Sequence, residues 1–258
     1  VLDDGTVLDY RRGRYNHHLP QQLGLPDLFE LEPDHQLLGH LQIRDYPYEL
    51  ARAKADVLKR DFASADRLIA NVIWQAYCMV LSVGTVPYGD DFVAFFYRPL
   101  QATLYRAGFL TRAQMKRSPE KERLFYRFEY VLGQMVRRCR LFSYQQFGFK
   151  DANADQRVIG QRLPGVLLLV EKGGMIEDFA RRLQQEFGFS LLLLGGLPSL
   201  RDSEYFEREL RAHYTGSLEV IPYTDFDTFG YRIGTGFCKQ MEFLGRPCRS
   251  RPHLVVAS

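Results

Sequence analysis

The chain has 258 residues, 46% hydrophobic and 25% charged with a net charge of +3, a composition that suits a soluble globular protein of one or two domains and excludes a low-complexity chain. No apolar stretch reaches the length of a membrane span, and the opening Val1-Leu2-Asp3-Asp4-Gly5 carries neither a signal-peptide pattern nor an initiating Met, which points to an intracellular protein in trimmed or reduced form. Cys78, Cys139, Cys238 and Cys248 lie far apart without a CxxC pair, so reduced thiols are expected rather than zinc ligands or a disulfide framework.

Residues 1–50 are rich in Pro, His, Leu and Asp with little periodicity and read as an N-terminal extension. His17, His18, His35 and His40 lack helical metal-site spacing and are read as solvated or packing residues. The spacing then predicts a helix over 51–59 and another over 65–81, whose Leu68, Ile69, Val72, Ile73, Ala76 and Val80 recur at helical intervals. Gly84 to Gly89, with Pro87, stops it. A helical segment over 100–107 ends at Gly108, and a third helix is expected over 119–138.

From Arg98 to Arg140 there are eleven Lys or Arg against three Glu, an excess of eight positive charges, interleaved with Tyr105, Phe109, Phe125, Tyr126, Phe128 and Tyr130. Such a face grips a phosphate backbone, or is a solvated helix surface over an aromatic stripe. Short helices joined by Gly turns with a basic face predict a helix-turn-helix or winged-helix domain over 51–160. Its wing and linker are expected over 141–165, with a strand at Phe142-Ser143-Tyr144 and a turn at Lys150-Asp151-Ala152-Asn153.

Beyond Pro164 strand and helix alternate: strands at 166–170, 190–194, 218–223 and 253–256, helices at 175–187, 202–213 and 229–243. That predicts a compact α/β domain with a parallel sheet over 161–258. Two of its strands end in acids, Glu171 after Val166–Val170, and Asp225 and Asp227 after Val220–Tyr223. Ligands of open parallel sheets bind outside the carboxyl ends of the strands, so these three carboxylates are expected to converge. Unpaired carboxylates about 4 Å apart repel by roughly 4 kcal/mol at an effective dielectric near 20. A hard divalent ion, Mg²⁺ above all with Mn²⁺ as substitute, removes that repulsion.

Three stretches resemble the topoisomerase VI A subunit and its meiotic double-strand-break relatives. Leu169-Val170-Glu171-Lys172-Gly173-Gly174-Met175 is similar to their Val-Glu-Lys strand end and helix start. Gly195-Gly196-Leu197-Pro198-Ser199-Leu200-Arg201 is similar to their Gly-x-Pro-Asp-Leu-x-x-Arg, with Ser199 in place of Asp. Tyr223-Thr224-Asp225-Phe226-Asp227-Thr228-Phe229-Gly230-Tyr231-Arg232-Ile233 is similar to their Val-Asp-x-Asp-Pro-x-Gly-x-x-Ile, with Thr228 in place of Pro. The resemblance covers residues 165–235 and implies a Toprim metal-binding domain following the winged helix.

It further implies a type IIB topoisomerase-like transesterase, in which a winged-helix tyrosine attacks a phosphodiester of double-stranded DNA and stays linked to the 5′ end. The matching segment is Val93-Ala94-Phe95-Phe96-Tyr97, where Val93 stands in place of the family's Arg and Arg98 compensates from the other side; Tyr105 is the competing nucleophile. Glu171, Asp225 and Asp227 become the metal ligands, and Arg98, Arg106, Arg137, Arg138 and Lys172 the DNA contacts. A homodimer is implied. Because the chain has no Gly-x4-Gly-Lys-[Ser/Thr] loop, an ATPase would be a separate subunit. Such a protein belongs in the nucleus of a eukaryote or the nucleoid of a prokaryote. Two alternatives keep less of the chemistry: a hydrolytic nuclease of the Wadjet type that lacks the tyrosine and uses metal-activated water, and a DNA-binding module without catalysis.

Overall fold

The computed structural model describes residues 50–83, 91–116, 118–151, 153–172, 175–225, 230–251 and 254–255, so all but the last residue of the extension expected over 1–50, and the stop at Gly84–Gly89, lie outside the described residues. The chain divides into two compact units at Lys150 and Asp151.

The first unit is helical. A 3-10 turn at Leu50–Arg52 precedes α1 (Ala55–Asp61) and α2 (Ala65–Val83), and α2 packs against α5 (Pro119–Gly133). Between them α3 (Phe92–Phe95), capped by Asp91, runs through a π turn at Phe96–Leu100 into α4 (Gln101–Arg106). The wider turn surrounds Pro99, which has no N–H to offer a regular helix. Ser118 caps α5 with Pro119 in its first turn, and a second π turn, Gln134–Arg138, extends that helix to the end expected from its spacing.

The strand expected at 142–144 is absent. Ser143 instead accepts from the Gln146 N–H at 2.9 Å, and the Gln146 side chain accepts from the Ser143 N–H at 2.8 Å, a capping box that opens α6 (Tyr144–Phe147). Two satisfied backbone donors outweigh the strand preference of two aromatic residues, so the wing loses the strand assigned to it. Among the described residues the first unit contains no strand.

Its interior includes a lattice of rings among buried aliphatic residues such as Leu68 and Ile73. Trp74, Phe95, Phe128, Phe142, Phe147 and Phe149 are fully buried, with ring centroids of Phe147 and Phe149 4.5 Å apart and those of Phe95 and Phe128 5.9 Å apart.

The second unit is a mixed α/β structure around a mostly parallel sheet, in agreement with the α/β reading of the sequence. Its strands are β1 (Arg157–Val158), β2 (Leu163–Val170), β3 (Phe189–Leu193), β4 (Leu218–Thr224), β5 (Cys248–Ser250) and β6 (Leu254–Val255). The order is β1-β3-β2-β4-β5, with β6 also on β4; only β1 runs antiparallel. Leu167, Leu168, Leu169 and Val170 are all buried, as an apolar run covered on both faces requires.

Helix α7 (Met175–Phe187) puts Ala180 and Ile176 on the face formed by Leu168, Val170, Leu191 and Leu193, together with Ile221 and Tyr223. Pro222 alternates to the opposite face. There a Cβ on Gly234 of α9 (Gly230–Phe243) would come within 3.0 Å of it. Helix α8 (Leu200–Arg211) packs against α9 on the same side, with Phe206 and Phe237 5.8 Å apart.

Beta5 and β6 occupy one edge of β4, the first at Leu218–Val220 and the second at Tyr223–Thr224. The Tyr223 carbonyl points to β2 and the Val220 carbonyl to Arg251, so the missing N–H of Pro222 falls on the β5/β6 side. Sequence analysis places one strand at 253–256 and misses β5.

Two buried ionic clusters hold the unit together. Arg157 meets both Asp151 and Glu209, and Arg246 grips Glu207, which also receives Arg211 at 2.9 Å. Among the described residues no helix is long and apolar enough to cross a membrane.

Candidate functional site

The chain leaves β2 for β3 on one side and returns to β4 on the other, so β2 and β4 are neighbours whose following segments depart in opposite directions. This switch point is where an open parallel sheet leaves a crevice for a ligand. The carboxyl ends of these two strands carry Glu171 and Asp225.

Glu171 remains in register with β4, its N–H donating to the Tyr223 carbonyl at 3.1 Å, while its Oε2 accepts from the Asp225 N–H at 3.1 Å. Only 8% of the residue is exposed. The Asp225 carboxylate is half exposed and forms an ion pair with the Lys172 ammonium. Val170 pairs with Tyr223, so continuation of that register sets Lys172 opposite Asp225. The sequence contains this signal once the strands are aligned by their ends. Lys172, assigned by resemblance to DNA, faces an acid of its own site.

Gly230 closes the site from behind. A Cβ there would lie 2.2 Å from the Asp225 carbonyl oxygen and 2.8 Å from Thr224 Oγ1, so only glycine lets α9 begin this close to the end of β4. Asp227, the third expected ligand, lies outside the described residues, as does Thr228. Among the described residues no three His, Cys, Asp or Glu side chains are grouped so that they could hold a metal ion, and Glu171 and Asp225 are linked through the Asp225 backbone N–H.

The segment between the two acids is organised by Ser199, whose Oγ accepts from the Asp202 N–H at 3.1 Å and caps α8. The Pro198 carbonyl accepts from Gln240 at 2.8 Å, and Gln240 in turn accepts from Ser203. The loop is thereby tied to both helices of that face.

In the helical unit Tyr97 lies in the π turn, 47% exposed, its ring stacked at 6.4 Å on Phe125 with the Lys121 ammonium 5.1 Å from its centroid. Tyr105, two turns on, is 40% exposed. Arg98, Arg137 and Arg138 are exposed, and among the described residues none makes an ion pair. Arg106 has another task than the one expected of it. Its guanidinium donates to the carbonyls of Leu50, Ala51 and Ala53 and to Thr103 Oγ1, closing the turn before α1. Arg127 is held by Asp66, whose hydrogen bond raises its pKa above the usual arginine value, and lies over the Tyr130 ring at 5.3 Å.

Sequence reasoning passes over a further pair: Cys238 and Cys248, from α9 and β5, have their sulfurs 2.8 Å apart. Comparison with protein-family models, with curated proteins and with solved structures yields no match.

Proposed function

We propose that the chain is a DNA-cleaving subunit resembling the topoisomerase VI A subunit, a Mg²⁺-dependent transesterase that works on double-stranded DNA as a homodimer beside a separate ATPase subunit. The observation that carries this reading is the juxtaposition of Glu171 and Asp225 at the ends of neighbouring parallel strands where the sheet reverses its winding. Their hard oxygen donors suit Mg²⁺ or Mn²⁺, and the ammonium of Lys172 on Asp225 marks a place that favours positive charge. Asp227, two residues on, completes the ligand set in this reading. A bound divalent ion supplies Lewis-acid stabilisation to the oxygen leaving phosphorus.

The remaining work falls to the chain itself. The Tyr97 phenol gives up its proton as its oxygen attacks phosphorus, a 5′-phosphotyrosine bond forms, the bond from phosphorus to the 3′ oxygen breaks, and that oxygen takes up a proton to leave as a 3′ hydroxyl. Phe125 and Lys121 hold the ring, and the neighbouring Arg98 with Arg137 and Arg138 neutralises backbone phosphates. Arg106 drops out of that set because its donors serve the fold. In this reading the sheet unit is a Toprim domain, and the helical unit is a winged-helix domain without the strand expected at 142–144. Ser199 stands where the resembled family has Asp, a replacement that preserves the helix cap.

The test is cleavage of duplex DNA in Mg²⁺ or Mn²⁺, with protein-linked ends sought after denaturation. We expect a covalent adduct that disappears in Tyr97→Phe, survives in Tyr105→Phe, and is lost with a chelator. Cleavage with free ends that is untouched by both substitutions assigns the attack to water and the chain to the hydrolytic class. Cutting that persists in the double variant Glu171→Gln with Asp225→Asn, or binding without cutting in either metal, overturns the reading.

A further inference from the structure

We propose that Cys238 and Cys248 are a redox modification site, a thiol pair that a peroxide converts to a reversible disulfide fastening α9 to β5. The Cys248 thiol donates to the Cys238 sulfur at 2.8 Å, against about 2.05 Å for the covalent bond, so little travel separates the dithiol from the cross-link. The two residues come from different elements, each held independently of the other. Cys248 is fixed by the pairing of β5 with β4, opposite Leu218.

Cys238 is fixed by the face that α9 turns to the sheet. Gly230, Gly234 and Cys238 recur at intervals of four along that helix, so they share one face. A Cβ on Gly234 would lie 2.6 Å from Ser250 Oγ, two residues beyond Cys248. The absence of a side chain there seats the helix on the strand, and the next turn delivers the Cys238 sulfur to Cys248.

The environment distinguishes the two sulfurs. Donation from Cys248 pulls the Cys238 thiol below its ordinary value, against the opposing effects of burial and Glu242; the same contact, with burial, pushes Cys248 up. In the proposal Cys238, whose sulfur accepts from Cys248, is the nucleophile and Cys248 the resolving thiol. Cys238 is only 6% exposed, so the oxidant must be small, which favours hydrogen peroxide over a bulky disulfide. The Cys238 thiolate attacks one peroxide oxygen, the O–O bond breaks, and sulfenic acid and hydroxide form. The Cys248 sulfur then attacks the sulfenic sulfur, its proton leaving with the displaced hydroxyl as water. Two thiols are oxidised by two electrons and one peroxide is reduced to two waters. A dithiol reductant reverses the change by exchange.

The experiment treats the reduced 258-residue chain with hydrogen peroxide, alkylates the remaining thiols under denaturing conditions, and measures intact mass and peptide map. We expect two of the four cysteines to become refractory to alkylation, a mass lower by about 2 Da before alkylation for the two hydrogens removed, and one cross-linked peptide joining Cys238 to Cys248. Dithiothreitol restores all four. In Cys248→Ser the cross-link is lost and a sulfenic-acid trap labels Cys238; in Cys238→Ser neither product forms. The wild-type measurement stands alone should a serine variant fail to fold. Four alkylatable thiols persisting at peroxide levels that oxidise free glutathione overturn the proposal, as does a cross-link that joins Cys78 or Cys139.

Discussion

In the helical unit rings run through the buried interior, from Trp74 and Tyr77 through Phe95 and Phe128 to Phe149, among aliphatic residues such as Leu68 and Ile73, whereas the sheet unit buries charge in the Arg157 and Glu207 clusters alongside its leucines. Ring packing draws on area removed from water, which is large and only weakly directional. A buried ion pair gives up hydration on both sides and recovers it only in the right geometry. Glu207 illustrates this. Wholly buried on α8, it is bound through both oxygens by Arg246 and by Arg211, while Arg246 also donates to the carbonyls of Tyr214 and Gly216. The cluster thereby ties α8 to the turn before β4 and to the turn between α9 and β5. The comparison teaches that the rings supply cohesion while the ionic clusters fix where particular turns sit.

The sharpest way to break this comparison is to remove one member from each kind of core. Glu207→Ala should cost about 3–5 kcal/mol in chemical denaturation, because it strands a buried guanidinium. Phe128→Ala should cost about the same, through lost burial and a cavity. The second substitution separates them. Adding Arg246→Met to Glu207→Ala should recover part of the loss, since the charge left without Glu207 is then only that of the half-exposed Arg211, whereas adding Phe95→Ala to Phe128→Ala should deepen it. A double variant at the ionic cluster no more stable than Glu207→Ala would show that its carbonyl bonds, rather than its charge pairing, matter most.

A smaller effect probes the place where local polarity overrides the aromatic pattern. Ser143→Ala should cost about 1 kcal/mol in the same measurement, the usual worth of a helix cap. The smallest effect at neutral pH concerns Tyr205, whose phenol is pushed up to about 12, chiefly by burial and then by Glu204. Because the folded state keeps a proton that the unfolded chain releases near pH 10, the contribution is intact below pH 10 and is lost as the pH climbs toward 12. A pH series of denaturation midpoints should therefore fall more steeply over that window in the wild type than in Tyr205→Phe.

Much of the fold was legible in the sequence for a physical reason particular to each element. The run Val166–Val170 could be read because a strand covered on both faces must be apolar throughout, and α5 because Ser118-Pro119 opens it and its apolar spacing continues to Val136. The strand read at 142–144 failed because a reciprocal Ser143–Gln146 cap outweighed two aromatic preferences, and β5 was missed because three edge residues, Cys248–Ser250, carry almost no pattern. In the candidate site, Glu171 and Asp225 were found by their position after apolar runs. Arg106 was misassigned because a basic residue in a basic segment gives no sign that backbone carbonyls have claimed it.

The sequence by itself determined the alternation of strands and helices after Pro164 and the placing of acids at strand ends, since hydrophobic period and residue order are local properties of the chain. Only the tertiary structure decided that β2 and β4 are neighbours, that Lys172 lies on Asp225, and that Cys238 meets Cys248. Those facts depend on strand order and on how closely α9 can approach the sheet. Pairing across fifty residues leaves no local periodicity to read, and the glycines that permit the approach act through the side chain they lack.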